Sequence, residues 1–350
     1  MEGMKAAFFY GERKDIRLKK VDIPKINEDE VLIKVRACGI CGSDARSYFN
    51  GVHERYKIPV ILGHEVAGEI SQVGKNVDGF KVGERVTVAP IYGCGKCSFC
   101  VSGEENLCER VVVFGCNFDG AYAQYMRIPA QGIKRGVLVK IPENLSDGEA
   151  TLIEPFSCCL HGILRANVGP GDTVVVIGAG PIGLAHLTLL KILGSGRVIV
   201  NDIVNLRLER AKKFGADVTI NSKESNLTLK VRELTKGEGA NSVIVAVPSK
   251  EAIEDGLKVV RRGGRVVLFG GCPANSLIQI DPNLIHYSEI TVTGSIDSII
   301  DDFRRTVQLI SRVNLKPFVT HQFFLEEVHQ AMQVVKDKKG LKVILVTSKF

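Results

Sequence analysis

The chain has 350 residues, 45% of them hydrophobic and 24% charged, with a formal net charge of +7. That length is too great for one ordinary core and fits about two domains, and the composition is that of a globular chain with ample apolar surface to bury. Its 46 cations are interleaved with 39 anions and no run of five like charges occurs, which argues against a dedicated nucleic-acid tail.

The opening residues, MEGMKAAFFYGERKD, lack the apolar core and small-residue cleavage site of a signal peptide, so a cytoplasmic protein is expected. Over the first ~150 residues, strand candidates such as VLIKVRA, VAGEISQVG and ERVTVAP are broken by glycine, proline and cysteine. That texture predicts an irregular, mostly antiparallel β domain. From Thr173 to Gly270 the pattern changes. Strand-like runs TVVVI (173–177), RVIVN (197–201), ADVTI (216–220), NSVIVAV (241–247) and RVVLF (265–269) alternate with helical segments LAHLTLLKILG, NLRLERAKKFG and EAIEDGLKVVRRG. Two of these helices end on Gly194 and Gly215, the expected stop signal. Apolar strands separated by helices predict a doubly wound parallel sheet covered on both faces.

Thr173 to Leu190 carries no formal charge for eighteen residues, but Gly178, Gly180, Pro181 and Gly183 cut it into a short strand and a helix. It therefore reads as buried core and not as a membrane span. After Ile290 come a strand (ITVTG), two helices over about 298–312 and 325–337, and a last strand, KVILVT. The end of the chain is expected to return to the first domain. The predicted class is α/β, with one domain formed by residues 1–152 together with 292–350 and a nucleotide-binding domain over 153–291.

GAGPIG (178–183) follows a strand and opens a helix, the setting in which a G-x-G-x-x-G pattern acquires meaning. Gly178 makes the tight turn, Gly180 lets the backbone approach a pyrophosphate, and Gly183 lets helix and strand pack closely. The phosphates then sit at the positive end of the helix that Pro181 and Ile182 begin. Asp202, nineteen residues past Gly183, stands where an acid binds ribose hydroxyls, and its charge favours NAD over NADP. Asp202 could instead be a loop acid or a helix cap, and Arg207 could flank the adenosine or be a solvated helix residue.

Ten cysteines in a chain expected in the cytoplasm point to metal or packing before disulfides. Four of them, Cys94, Cys97, Cys100 and Cys108, lie within fifteen positions at spacing C-x2-C-x2-C-x7-C. Four thiolates can close a tetrahedron around zinc, which leaves no open position and predicts a structural site. An iron–sulfur cluster and unmetallated packing are the alternatives. A catalytic zinc needs three protein ligands and a vacancy, and candidates lie elsewhere: GICGSD (39–44), GHE (63–65) and IEPFSCCLHG (153–162).

GHEVAGEISQVGKNV fits G-H-E-x2-G-x5-G-x2-V. With GICGSD, the cysteine cluster, the EP motif, GAGPIG and LKVVRRGGRVVLFGG, the chain resembles the zinc-containing medium-chain alcohol dehydrogenase family over essentially its whole length. The resemblance implies a GroES-like catalytic domain and a Rossmann NAD-binding domain, two zinc ions per chain, and a homodimer or homotetramer. It implies catalytic-zinc ligation by Cys41, His64 and Glu154. Glutamate rather than cysteine at the last of these is similar to the sorbitol/polyol branch, where Glu65 can also reach the metal. A small polyol-type alcohol would be the substrate, with no nucleic acid and no membrane as partner.

By the same resemblance Ser43 is the proton-relay hydroxyl and Asp44 the acid that orients His64. Phe269, Gly270, Gly271, Gly294 and Ser295 line the nicotinamide half, unless these glycines are only turns. Two positions depart from the family. Arg46 replaces a histidine at the end of the proton path and, as a permanent cation, cannot shuttle protons. It then leaves the relay to water or contacts an oxygen-rich or anionic substrate. Ser47 replaces the substrate-side tyrosine, with Tyr48 next to it, so Arg46 and Tyr48 are the candidate substrate residues. Cys38, Cys158, Cys159 and Cys272 are expected as packing residues, Cys116 near the cleft wall, and His161 as structural. His53, His286, His321 and His329 have no motif context.

Overall fold

The structure, a computed structural model, describes residues 3–52 and 55–347, so His53 lies outside the described residues. The chain divides into two compact units, Met1–Glu154 with Ser298–Phe350, and Pro155–Asp297. The second boundary falls a few residues later than position 292 because the strand after Ile290 stays with the nucleotide-type sheet.

The first part of the chain supplies β1 (Gly3–Phe9), β2 (Ile16–Asp22), β3 (Val31–Gly39), α1 (Gly42–Asn50), β4 (Val60–Ile61), β5 (Glu65–Val73) and β6 (Arg85–Val88). It continues with β7 (Ile91–Tyr92), α2 (Ser98–Val101), β8 (Val112–Val113), β9 (Tyr125–Ile128), α3 (Ala130–Arg135), β10 (Leu138–Lys140), α4 (Asp147–Ala150) and α5 (Ile153–Arg165). The second unit adds β11 (Thr173–Ile177), α6 (Pro181–Ile192), β12 (Arg197–Asp202), α7 (Asn205–Lys213), β13 (Val218–Asn221), α8 (Leu227–Leu234), β14 (Ala240–Val245), α9 (Lys250–Val259), β15 (Val260–Leu268), α10 (Pro282–Ser288) and β16 (Thr291–Gly294). The chain then forms α11 (Ile300–Ile310), β17 (Val319–Phe324), α12 (Val328–Lys336) and β18 (Lys342–Val346).

In the first unit the main sheet runs β10-β6-β5-β3-β18-β17, with β9 also on β3. Most of these pairings are antiparallel, as expected, but β17 and β18 are parallel because α12 carries the chain between them. β3 is paired along both edges and is apolar at nearly every position, with Val31, Leu32 and Ile33 fully buried. A separate sheet, β2-β1-β4, comes from the N-terminal segment and Val60–Ile61. Its β2 exposes four consecutive residues, which hides the period-two signal and explains why the sequence reading missed it.

The second unit is a six-stranded parallel sheet in the order β13-β12-β11-β14-β15-β16. Val175, Ile199, Val243 and Val266 form its centre and are wholly buried. The expected helical segment through Gly263 stops at Val259, and Val260 already pairs with Ala240 as the start of β15. Two β-branched residues in succession, followed by a glycine packed against Asn241 backbone, favour the strand at that point. α8 escaped the sequence reading. It is short, and Asn226, whose side chain accepts from the Leu229 N–H, is its main start signal. No helix among the described residues is long and apolar enough to cross a membrane.

Candidate metal centre and nucleotide site

Cys41 ends the turn after β3 and is the N-cap of α1, with its sulfur accepting from the Ser43 N–H at 3.5 Å. His64 and Glu65 stand at the entry to β5. Cys41 Sγ, a nitrogen of His64 and an oxygen of Glu65 all lie within 4.8 Å of one another. Glu154, in the first turn of α5, is buried, and its charge acts on both His64 and Lys342. Cys41, His64 and Glu65 therefore gather in one place, and Glu154, which stands outside that donor group, acts on it through its charge.

Electrostatics shows what this place is built for. Burial opposes a charged imidazole at His64, yet Asp44, Cys41 and Glu154 outweigh it and hold the ring well above its ordinary pKa. Such a concentration of negative donors around one ring is a seat for a cation. Asp44 is itself fixed. Its Oδ2 accepts from the Tyr122 hydroxyl at 2.8 Å and from the Cys41 N–H at 3.4 Å, while Oδ1 stands 3.7 Å from His64 Nδ1. That leaves Nε2 of His64 as the nitrogen available to a metal. Tyr122 reaches Asp44 only because position 63 is glycine, where a Cβ would come within 2.4 Å of the tyrosine ring.

Of the remaining candidates, Ser43 lies in the first turn of α1, half-buried, beside Cys41. Arg46 is one turn on and exposed, with no hydrogen-bond or ion-pair partner among the described residues. Tyr48, the other candidate substrate residue, faces inward. It is 4% exposed, its hydroxyl pairs with His329 Nδ1 at 2.7 Å, and its ring meets Phe49 edge-on. Two positions apart on a helix are nearly opposite faces, so Arg46 and Tyr48 cannot point the same way.

A tyrosine that the sequence reading did not select does approach the site. The Tyr56 hydroxyl is 2.8 Å from Ser47 Oγ; burial raises its pKa, and Asp44, Cys116 and His64 act on it. Lys342 was missed as well. Its ammonium donates to both oxygens of Glu65, at 2.6 and 2.5 Å. Burial works against that charge, and Glu65, with Cys41 and Glu154, more than compensates and raises its pKa. The signal was present as one lysine heading an otherwise apolar strand. Cys38 and Cys159 are buried packing residues, and Cys116 donates to the Arg55 carbonyl at 3.6 Å.

The four-cysteine loop makes the second cluster. Cys94 and Cys100 sulfurs are 4.0 Å apart and those of Cys97 and Cys108 3.7 Å. Sulfurs at ~2.3 Å from one tetrahedral zinc stand about 3.8 Å from each other, so the four fit such an ion. Backbone N–H groups of Lys96 and Cys97 pull the Cys94 thiol down to about 6, while burial pushes Cys100 up to about 12. Were all four ionised, a bound cation would be needed to offset their mutual repulsion. Glu105, inside the same loop, accepts from the Ile300 N–H at 2.9 Å and so caps α11.

In the second unit, Gly178 takes φ +110°, and a Cβ on Gly183 would meet the Gly178 carbonyl oxygen at 1.7 Å. A Cβ on Gly180 would meet nothing, which leaves room before the N-terminus of α6 where Pro181 and Ile182 begin the helix. Asp202 Oδ2 accepts from the Ala179 N–H at 2.8 Å, and Oδ1 from Ile203 and Val204. The carboxylate thus holds the glycine turn in addition to any ligand role. Arg207 Nη1 lies 3.7 Å from it. Phe269, Gly270 and Gly271 follow the end of β15, while Gly294 closes β16 and Ser295 follows it, at the carboxyl edge where ligands of such sheets bind. Ser295 Oγ is buried without a hydrogen-bond partner among the described residues.

This combination defines a zinc-binding dehydrogenase. The alcohol dehydrogenase GroES-like domain family matches residues 27–143 and the zinc-binding dehydrogenase family residues 181–312. The chain is 38% identical to a sorbitol dehydrogenase of Bacillus subtilis over 95% of its own length and 93% of the relative. It is 34% identical to an L-threonine 3-dehydrogenase of Pyrococcus horikoshii, with 94% of each chain covered. Among solved structures, galactitol-1-phosphate dehydrogenase of Escherichia coli superposes with a TM-score of 0.88 at 26% identity, over 98% of this chain and 100% of that one. The chain belongs to the zinc-containing medium-chain alcohol dehydrogenase family, in its sorbitol/polyol branch, and is an oxidoreductase.

Proposed function

We propose that the protein oxidises a secondary alcohol of the polyol, cyclitol or sugar-alcohol class to the ketone, with NAD taking the hydride. The donor set carries this reading: the Cys41 sulfur, a His64 nitrogen and a Glu65 carboxylate oxygen lie within 4.8 Å of one another, and the buried Glu154 acts on the same imidazole. A carboxylate in place of a third sulfur makes the site harder and suits an oxygen-rich ligand. A zinc ion held by Cys41, His64 and Glu154 supplies Lewis acidity toward a substrate hydroxyl, and NAD supplies the hydride acceptor.

The chain's own groups position and deprotonate. Asp44, with Oδ1 3.7 Å from Nδ1, favours a proton on that nitrogen through its charge. Ser43 Oγ, two residues past the cap of α1, takes the substrate proton and hands it to water, since Arg46 cannot relay it. In the second unit, Gly180 leaves space for the pyrophosphate, Asp202 repels a 2′-phosphate, and the bare Ser295 hydroxyl is available to the nicotinamide amide. The test is a set of initial rates with NAD against polyols, polyol phosphates, threonine and butanediol. Turnover of an unphosphorylated polyol supports the reading, and inactivity toward all of them ends it.

One observation favours a second reading. Arg46 is exposed, carries no partner among the described residues and shares a helix face with Ser43. An anionic alcohol, bearing phosphate or carboxylate, would find its counter-ion there. On that reading Arg46→Ala raises KM for the anionic substrate while leaving neutral polyols unaffected.

A further inference from the structure

We infer that Tyr56 is a specificity-determining residue of the proposed reaction: with Ser47 it forms a hydroxyl pair that receives a second hydroxyl of the substrate, beside the one that reacts. The inference rests on the alcohol-oxidising reading above and narrows its substrate to alcohols that carry a neighbouring hydroxyl.

The pair stands one helical turn from the reacting position. Ser47 is three residues after Asp44 and four after Ser43 on α1, spacings that bring side chains on one helix face to about 5–6 Å from each other. Asp44 Oδ1 is in turn 3.7 Å from His64 Nδ1. The Tyr56 hydroxyl meets Ser47 Oγ at 2.8 Å and so reaches that same face from another part of the chain. That Asp44 and His64 both act on the Tyr56 hydroxyl agrees with this placement.

Tyr56 is also fixed before any ligand arrives. Its ring stands edge-on to the fully buried Phe9, with centroids 6.5 Å apart. Cys116 brackets it along the chain: its carbonyl accepts from the Lys57 N–H at 3.1 Å, and its thiol donates to the Arg55 carbonyl at 3.6 Å. A half-buried tyrosine held by its ring and by backbone on both sides loses little freedom on taking up a ligand.

Hydrogen-bond arithmetic then selects the ligand. Two hydroxyls bring two O–H donors. One is spent between them, and neither oxygen has another hydrogen-bond partner among the described residues. One O–H and free lone pairs remain, the complement of a neutral hydroxyl, which donates once and also accepts. The pair offers no charge to a phosphate or carboxylate, in contrast to Arg46.

The test compares the symmetrical vicinal butanediol with secondary butanol, which differ by the adjacent hydroxyl alone. It uses the zinc-loaded protein and its Tyr56→Phe and Ser47→Ala variants. Wild type is expected to favour the diol in kcat/KM. In Tyr56→Phe that preference shrinks about three- to tenfold, the worth of one neutral hydrogen bond, through a higher KM for the diol. The butanol is oxidised as before. Ser47→Ala moves the ratio in the same direction. The ratio is read without turnover as well, by titrating each alcohol into the protein–NADH complex and following NADH emission, which no tryptophan of this chain obscures.

A diol-to-butanol ratio unchanged in Tyr56→Phe overturns the inference. Equal losses on both alcohols overturn it too, since they mark a purely structural role. If Tyr56→Phe does not fold, an unchanged ratio in Ser47→Ala overturns it by itself. A wild type inactive toward every alcohol overturns the proposed function and this inference with it. A wild type that oxidises both alcohols without preferring the diol overturns the inference alone.

Discussion

The two metal clusters sit in the same unit and are assembled in different ways. The cysteine loop draws all four donors from fifteen consecutive positions, held by turns and by the short α2. The other brings together Cys41, His64 and Glu65, with Lys342 arriving from β18 and the charge of the buried Glu154 acting on the same groups. The first set is sulfur alone and closed. The second mixes sulfur, nitrogen and oxygen and is surrounded by charged groups that do not all bind the ion. Local donors make a staple, whereas distributed donors let each ligand be tuned by a different part of the fold.

That contrast fails or stands first on ligand removal. Cys41→Ala or Glu154→Ala is expected to lose one of two metals and roughly 10³-fold or more in turnover, with little change in melting temperature, because several kcal/mol of charge stabilisation disappear. Cys97→Ala is expected to lose the other metal and lower the melting temperature, while activity per folded molecule persists. Metal content, calorimetry and rates on the same samples decide it. Full activity in Cys41→Ala, or an inactive but equally stable Cys97→Ala, would reverse the two roles.

Acid lability separates the metal sites from the other unit. His186, on α6, is fully buried; burial depresses its pKa from 6.5 to about 4. One ring nitrogen, Nδ1, pairs with the Ile182 carbonyl at 2.9 Å, while Nε2 has no hydrogen-bond partner among the described residues. An unfolded histidine binds a proton below its ordinary pKa and the folded one does not, so stability is lost as pH falls from about 6.5 toward 4. The loss approaches about 3 kcal/mol. His186→Phe should flatten the pH dependence of unfolding in that window without altering zinc content. If acid sensitivity is unchanged, the metal sites and not His186 set it.

The smallest expected effect joins the loop to the rest of its unit. Glu105→Ala removes the acceptor for the Ile300 N–H and should cost about 1–3 kcal/mol, read as a lower melting temperature with both metals retained. Zinc loss in this variant would show that the loop depends on α11 more than on its thiolates.

What the sequence made legible follows from how far each interaction reaches along the chain. Cys94 to Cys108 and the GAGPIG turn are readable because spacing alone fixes their geometry. Cys41 and His64 were legible through short motifs, although their meeting is a property of the β3–β5 pairing. Lys342 was not legible, since its partner lies 277 positions away and depends on the register of β18 on β3. The approach of Tyr56 was not legible for a related reason. Tyr48 is close to Arg46 in sequence and opposite it on the helix, whereas Tyr56 returns to Ser47 through a loop. Strand and helix limits missed mainly where β-branched residues could serve either, as at Val259 and Val260.

The position of β18 also orders events in time. It lies between β3 and β17 inside the first unit's main sheet, yet the second unit is encoded before it. During synthesis, β3 and β5 emerge early with the Glu65 side of the metal centre already in place. The lysine that balances it leaves the ribosome only after the whole parallel-sheet unit has been made. A nascent or truncated chain without β18 carries an uncompensated acid beside Cys41 and His64. The metal centre therefore reaches its final charge state last, as a mark of a chain translated through to its closing strand.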